Sequence, residues 1–150
     1  MIRMFGYAAA LAATAGGSAL AARMWTDYAP AKGLWEVNAI EVDQSHLDDY
    51  LTGLKRTQVP GFEIMKKRGL IDDYKYLVRN GYSRNSPTVL IMAHFTSVSA
   101  LEPNRTRDEA IEREILATLP EAEGRAAVQG YEQYRKFLDT AYFTEVTFRR

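Results

Sequence analysis

The sequence predicts an α+β domain whose elements run strand, helix, strand, strand, helix, strand. Three observations carry that prediction: stretches of two-residue alternation rich in β-branched and aromatic residues, amphipathic helical stretches between them, and helix-start and turn signals at the joints. A chain of 150 residues has room for one such domain with a substantial core.

Leu34–Val42 alternates as a strand, with Trp35, Val37 and Ala39 on one face and Leu34, Glu36, Asn38 and Ile40 on the other. Ser45-His46-Leu47-Asp48 has the outline of a capping box, Ser45 as N-cap and Asp48 at the third helical position. Leu47, Tyr50, Leu51 and Leu54 follow at the 3–4 spacing of a buried helical stripe. Pro60-Gly61 is expected to interrupt that helix, and a short second one to run over about 62–68. Lys66, Lys67 and Arg68 suit its negative dipole end, and Gly69 stands where a C-terminal glycine belongs.

Strands are expected over 72–82 and 88–98, joined as an antiparallel pair by the polar loop 83–87. In the second of these, Val89, Ile91, Ala93 and Phe95 share one face, and Leu90, Met92, His94 and Thr96 the other. Both faces are apolar enough to be covered. Thr106-Arg107-Asp108-Glu109 reads as a second capping box, opening a helix with Ile111, Ile115 and Leu119 on one side. Pro120 ends it. A last helix is expected over 121–139, on a stripe of Ala127, Tyr131, Tyr134 and Leu138, and a strand over 140–148 closes the chain.

This order builds a four-stranded antiparallel sheet with helices on one face, a ferredoxin-like arrangement. The opposite face would then present Ile40, Leu90, Met92 and Val146, too apolar to stay in water, and pairing of two sheets in a homodimer is the simplest cover. The expected domain organisation is an export signal over 1–21, a loose lead-in over 22–33 and the folded domain over 34–150.

Residues 1–21 read as a secretory signal: Arg3, an apolar alanine-rich stretch over 5–15, a break at Gly16-Gly17-Ser18, and the small-x-small triplet Ala19-Leu20-Ala21. An uncleaved anchor fits less well, because alanine, glycine and threonine insert far less readily than leucine. A periplasmic or secreted location follows, with no stable membrane insertion after cleavage.

Composition narrows the chemistry. Nineteen basic and nineteen acidic residues cancel, which leaves no basic field for nucleic acid. The absence of cysteine excludes disulfides, a thiolate nucleophile and a cysteine zinc site. His46 and His94 are the only imidazoles, and their spacing gives no metal motif.

The motifs Ser45-His46-Leu47-Asp48-Asp49-Tyr50-Leu51, Pro60-Gly61-Phe62-Glu63 and Lys67-Arg68-Gly69-Leu70-Ile71-Asp72-Asp73-Tyr74 resemble exported bacterial members of the dimeric α/β-barrel superfamily, members of unknown function. The resemblance covers about half of the mature chain by motif and nearly all of it by element order. It implies a barrel of two ferredoxin-like subunits and a pocket either between sheet and helices or inside the barrel. Superfamily members include cofactor-free monooxygenases, haem-degrading enzymes, lyases, isomerases and plain ligand binders, so the fold does not choose an activity. Asn38 lies where the haem-degrading pattern places an asparagine, but that pattern's helical histidine has no counterpart. No cofactor is therefore expected, with haem a weaker alternative.

Among individual residues, His94 is the leading candidate for a general base, with a core histidine satisfied by one hydrogen bond as the plainer reading. Glu36 is its candidate orienter and Asn38 the partner of a substrate oxygen. Tyr74, Tyr76, Met92 and Arg79 are candidate substrate contacts, with Glu145 in the same outer ring. The strand over 72–82 does not reveal which face meets the pocket, and a solvated edge charge is the plainer reading of Arg79. His46, at a helix N-terminus, reads as an exposed, idle histidine. The expected function is an exported homodimer whose pocket takes a small apolar or aromatic molecule. If it is an enzyme, the chemistry is cofactor-independent acid–base work of a lyase, isomerase or monooxygenase kind. A non-catalytic ligand-binding or stress-response module, and a structural interaction protein, are the alternatives.

Overall fold

A computed structural model of the chain describes residues 23–149 apart from 82 and 84. The expected export signal over 1–21 and the expected strand end at Tyr82 lie outside the described residues. In chain order the elements are β1 (Tyr28–Pro30), β2 (Leu34–Val42), α1 (Leu47–Thr57), α2 (Val59–Lys67), β3 (Ile71–Val78), β4 (Val89–Phe95), α3 (Arg105–Thr118), α4 (Glu121–Glu132), β5 (Arg135–Phe143) and β6 (Val146–Phe148). They fall into two units, residues 32–145 and the two chain ends outside that span.

In the smaller unit β1 pairs antiparallel with β6, Tyr28 opposite Phe148. Their rings meet edge to face at 6.4 Å. The lead-in, expected to be loose, thus supplies a strand, and the single closing strand expected over 140–148 is in fact two.

The larger unit holds a four-stranded sheet in the order β3-β4-β2-β5, every pair antiparallel. With helices on each crossover, this is the ferredoxin-like α+β topology. Its core follows from alternation. Ile40, Val42, Val89 and Ile91 meet Tyr50 and Leu54 of α1 and Tyr131 of α4. Ile71, Ala93 and Phe95 meet Phe62 and Met65 of α2. Each large aliphatic side chain so removed from water contributes roughly 1.5–3 kcal/mol. Ile40 is fully buried here, so it is core rather than part of the apolar set on the other face. Val146 belongs to the smaller unit. The face opposite the helices instead carries Trp35, Val37, Leu90 and Met92, with Leu77 and Phe143 exposed at 48% and 55%.

Local signals moved the helix ends. Asp43 Oδ1 accepts from the Ser45 N–H (2.9 Å) and hydroxyl (2.7 Å), so Ser45 serves a short 3-10 turn over Gln44–His46 and α1 begins behind it. Pro60 sits in the first turn of α2, where a missing N–H costs nothing, so it opens that helix rather than breaking the one before it. The helix closes on Gly69 at φ +72: the Gly69 N–H donates to the Lys66 carbonyl and the Leu70 N–H to that of Met65, both at 3.0 Å. In α3 the cap is Asn104, two residues before the expected Thr106. Its Oδ1 accepts from the Arg107 N–H (3.0 Å) while Asp108 accepts from the Asn104 N–H (2.9 Å).

The largest difference lies after α4. The helical spacing of Tyr131, Tyr134 and Leu138 predicts helix to 139, but α4 ends at Glu132 and residues 135–143 pair with β2. Edge pairing to a central strand outweighs a helical stripe whose last turns would have had nothing to bury against. Ala39 stands opposite Asp139 and Ile40 opposite Phe137, so Leu138 is the extra residue of a β-bulge.

Helix α1 lies close to α4 at Gly53, where an added Cβ would fall 2.2 Å from Tyr131 Cδ1. A Cβ at Gly130 meets nothing within 4 Å. Gly53→Ala is expected to destabilise the fold by about 1–3 kcal/mol through overpacking, and Gly130→Ala to stabilise it by about 0.4–1 kcal/mol. Chemical denaturation of the two variants checks this, and equal effects would contradict the close approach.

Candidate functional site

A cleft of about 390 Å³ opens on the helix side of the sheet. Asn38 of β2 and Ile91 of β4 form its floor, both on the face that packs on the helices. Leu54 and Thr57 of α1, with Gln58 just beyond, make one wall, and Val128 and Tyr131 of α4 the other. Arg135 and Phe137 of β5 close one end. The bulge at Leu138 puts them there. From Asp139 onward, the odd-numbered residues of β5 stand opposite Ala39, Val37 and Trp35, on the helix-free face. Before the extra residue the parity is reversed, and Phe137 and Arg135 stand opposite Ile40 and Val42.

Polar groups follow the floor in a connected chain. The Asn38 amide donates to Glu36 Oε1 at 2.9 Å and its carbonyl accepts from the Thr140 hydroxyl at 2.7 Å. The Tyr142 hydroxyl donates to Glu36 Oε2 at 3.1 Å. A carboxylate on one side and a hydroxyl donor on the other fix the orientation of the amide. Burial, with the negative charge of Glu36, pushes the Tyr142 phenol above its ordinary pKa, so it remains a donor at neutral pH.

The walls are tied as firmly. Thr57 Oγ1 donates to the Gly53 carbonyl at 2.9 Å and lies 2.8 Å from the Tyr131 hydroxyl. The Tyr76 hydroxyl donates to Gln58 Oε1 at 3.2 Å, and burial pushes its pKa upward. The Arg135 guanidinium lies over the Tyr131 and Phe137 rings, 5.3 and 4.8 Å from their centroids. Among the described residues no group meets the buried Tyr50 hydroxyl in good hydrogen-bond geometry, and Arg135 is the polar side chain that approaches it. Burial raises the pKa of Tyr50 and the charge of Arg135 nearby offsets part of the rise.

The sequence candidates are divided between the two faces of the sheet. Asn38 lines the cleft, Glu36 is bonded to it, and Tyr76 braces its wall through Gln58. Tyr74 shares that face but lies further along, in a cluster with Phe62 and Tyr76. Its hydroxyl donates to Glu63 at 2.5 Å, and this bond, with some burial, pushes its pKa up to about 12.

His94 and Met92 are on the other face. Glu36 stands opposite Ala93, and Trp35 opposite His94, so Glu36 does not orient His94. Asp72 does, its Oδ1 2.5 Å from Nδ1. The imidazole packs against Trp35 (centroids 4.9 Å apart) and against Gly33, where an added Cβ would fall 2.9 Å from Cε1. On the same face Met92 lines a shallow apolar hollow with Trp35 and Phe143, Lys75 lies 4.7 Å over the Trp35 ring, and Glu145 receives a 3.5 Å hydrogen bond from the Trp35 indole.

Arg79 is exposed at the end of the sheet, beside a hollow lined mostly by polar and charged side chains such as Glu41, Asp43 and Lys136. His46 is not idle: its ring stacks on Tyr134 at 3.6 Å and Nδ1 lies 3.1 Å from Asp49. Among the described residues no group of three or more His, Asp or Glu side chains is placed to hold a metal ion.

Thr57, Gln58, Tyr131, Arg135 and Phe137 were not singled out by sequence reasoning. Tyr131 carried a signal, as part of a buried helical stripe. Arg135 and Phe137 carried none, because the stretch around them reads as helix.

No protein-family model matches the chain, and no curated protein matches it in sequence. Among solved structures the chain is similar to a NIPSNAP-family protein of unknown function from Agrobacterium tumefaciens, at a TM-score of 0.42 and 10% identity over 79% of this chain and 88% of that one. A second crystal structure of a protein from the same organism overlaps at a TM-score of 0.40 and 11% identity, over 76% and 90%. Likeness at that level says nothing of ligand, assembly or activity.

Proposed function

We propose that this chain is an exported, homodimeric small-molecule-binding protein whose ligand sits in the helix-side cleft. The observation that carries the reading is the make-up of that cleft: aliphatic and aromatic walls, a few fixed polar groups, and a volume of about 390 Å³. Ligand sites are concave, largely apolar and polar at a few placed points. A small apolar or aromatic molecule suits it. Binding is favoured over acid–base catalysis because the sheet separates His94 from Asn38 and Glu36, and none of the residues lining the cleft is a histidine.

The test is a thermal-shift screen of the mature protein against aromatic acids, phenols, quinones and haem. A ligand at about a hundred times its dissociation constant adds roughly 2.7 kcal/mol, a shift of several degrees. Phe137 is 53% exposed, so Phe137→Ala is expected to remove a cleft wall at little cost to stability and to weaken any hit about tenfold. A flat screen on folded protein, or hits untouched by Phe137→Ala, would contradict the assignment.

The homodimer is supported by the apolar helix-free face, where Trp35, Val37, Leu90 and Met92 lie beside the half-exposed Leu77 and Phe143. Sedimentation is expected to give a dimer at micromolar concentration and a folded monomer for Met92→Lys. A wild-type monomer would remove this part of the account.

Export is supported by the pattern of Arg3, the alanine-rich stretch and Ala19-Leu20-Ala21. The intact mass of the chain recovered from an expressing bacterium is expected to begin at Ala22. A cytoplasmic chain beginning at Met1 would contradict export.

A further inference from the structure

Resting on the reading of the cleft as a ligand site, we propose that its ligand is a monocarboxylic acid with an apolar or aromatic body, and that Arg135 binds the carboxylate. Arg135 is half-buried and lines the cleft, yet among the described residues no carboxylate lies within 4 Å of it. Five other arginines, Arg56, Arg68, Arg105, Arg107 and Arg125, each have an acidic partner at that distance. A half-buried guanidinium without an anion is a costly arrangement that a bound anion relieves.

The surroundings hold that group ready. Tyr131 and Phe137 lie beneath the guanidinium within 5.3 Å, in the range of cation–π attraction. That contact occupies the face of the group and leaves its edge for hydrogen bonding. The edge is a planar fork of N–H donors, which matches a carboxylate in two parallel bonds. The bulge at Leu138 is what turns Arg135 onto this face, and bulges characteristically re-aim side chains beside sites.

The far end sets the charge of the ligand. Arg135 stands opposite Val42, six residues along β2 from Glu36, about 20 Å at the rise of a strand. Glu36, bonded to Asn38, places a negative charge there. A single acid group therefore fits, anchored at Arg135, with its apolar body directed between Tyr131 and Ile91. A diacid meets repulsion from Glu36, and a phosphate dianion finds one cation where it needs more.

The experiment compares benzoate and 1-naphthoate with their neutral amides, by calorimetry on the dimer. The acids are expected to bind at least tenfold tighter than the amides. Arg135→Gln should abolish that preference, weakening the acids at least tenfold more than the amides, while Arg135→Lys, which keeps the charge and loses the fork, should retain part of it. Phe137→Ala should weaken acids and amides alike. Circular dichroism and melting of each variant establish that it is folded. Equal binding of acid and amide to the wild type, or a preference that survives Arg135→Gln, would overturn the carboxylate assignment and leave the cleft standing. Binding of none of the four probes, or binding indifferent to Phe137→Ala, would overturn the cleft and the carboxylate together.

Discussion

Strand β2 is hydrogen-bonded to a neighbour on each side, and its register with β4 and β5 decides which side chains can meet. Because strand side chains alternate with a period of two, one register assigns every residue of the sheet to the helix side or to the bare side. Ile40 opposite Val89 and Phe137 sets the core with α1 and α4. The same register sends Trp35 and His94 together to the other face. The cleft, its polar floor and the apolar face proposed to meet a second copy all derive from that constraint.

The alternation is broken between Ile71 and Asp73 of β3 and again at the bulge in β5, and the cleft depends on the second of these. Regular pairing, with Leu138 opposite Ile40, would carry Arg135 and Phe137 to the bare face, among groups proposed to be buried against another subunit. With the bulge, the cleft gains one aromatic wall and its only lining cation. The surrounding elements limit what can move: Tyr131 is pressed on Gly53 and its hydroxyl lies against Thr57, and Asn38 is held from both sides. A floor and walls so fixed lower the ordering cost of binding.

Much of the fold was legible because periodicity reports directly on burial. The alternation of Val89, Ile91, Ala93 and Phe95, the stripe through Tyr50 and Leu54, and the basic end of α2 before Gly69 appear as the residues suggest. Cap positions shifted by about two residues, since Asp43 and Asn104, themselves good caps, accept the first free N–H groups ahead of Ser45 and Thr106. The end of α4 was not legible, because Tyr131, Tyr134 and Leu138 satisfy a helical period and only the pairing partner decides otherwise. A one-residue bulge has no local signature, so Arg135 and Phe137 could not be placed. Among the candidates, Asn38 belongs to the cleft and His94 does not. For β2 the two faces are about equally apolar, and sequence alone does not say which one the helices cover.

The account's central claim is that ligands bind on the helix side, on the floor made by β2 and β4 and against the end closed by β5. Backbone amide chemical shifts of the isotope-labelled protein, followed while phenylacetate is added, test it most directly. The account predicts saturable changes clustered at Asn38, Gln58, Tyr131 and Phe137. Changes clustered instead at Trp35, Leu90, Met92 and Phe143 would place the site on the opposite face of the sheet and contradict the account.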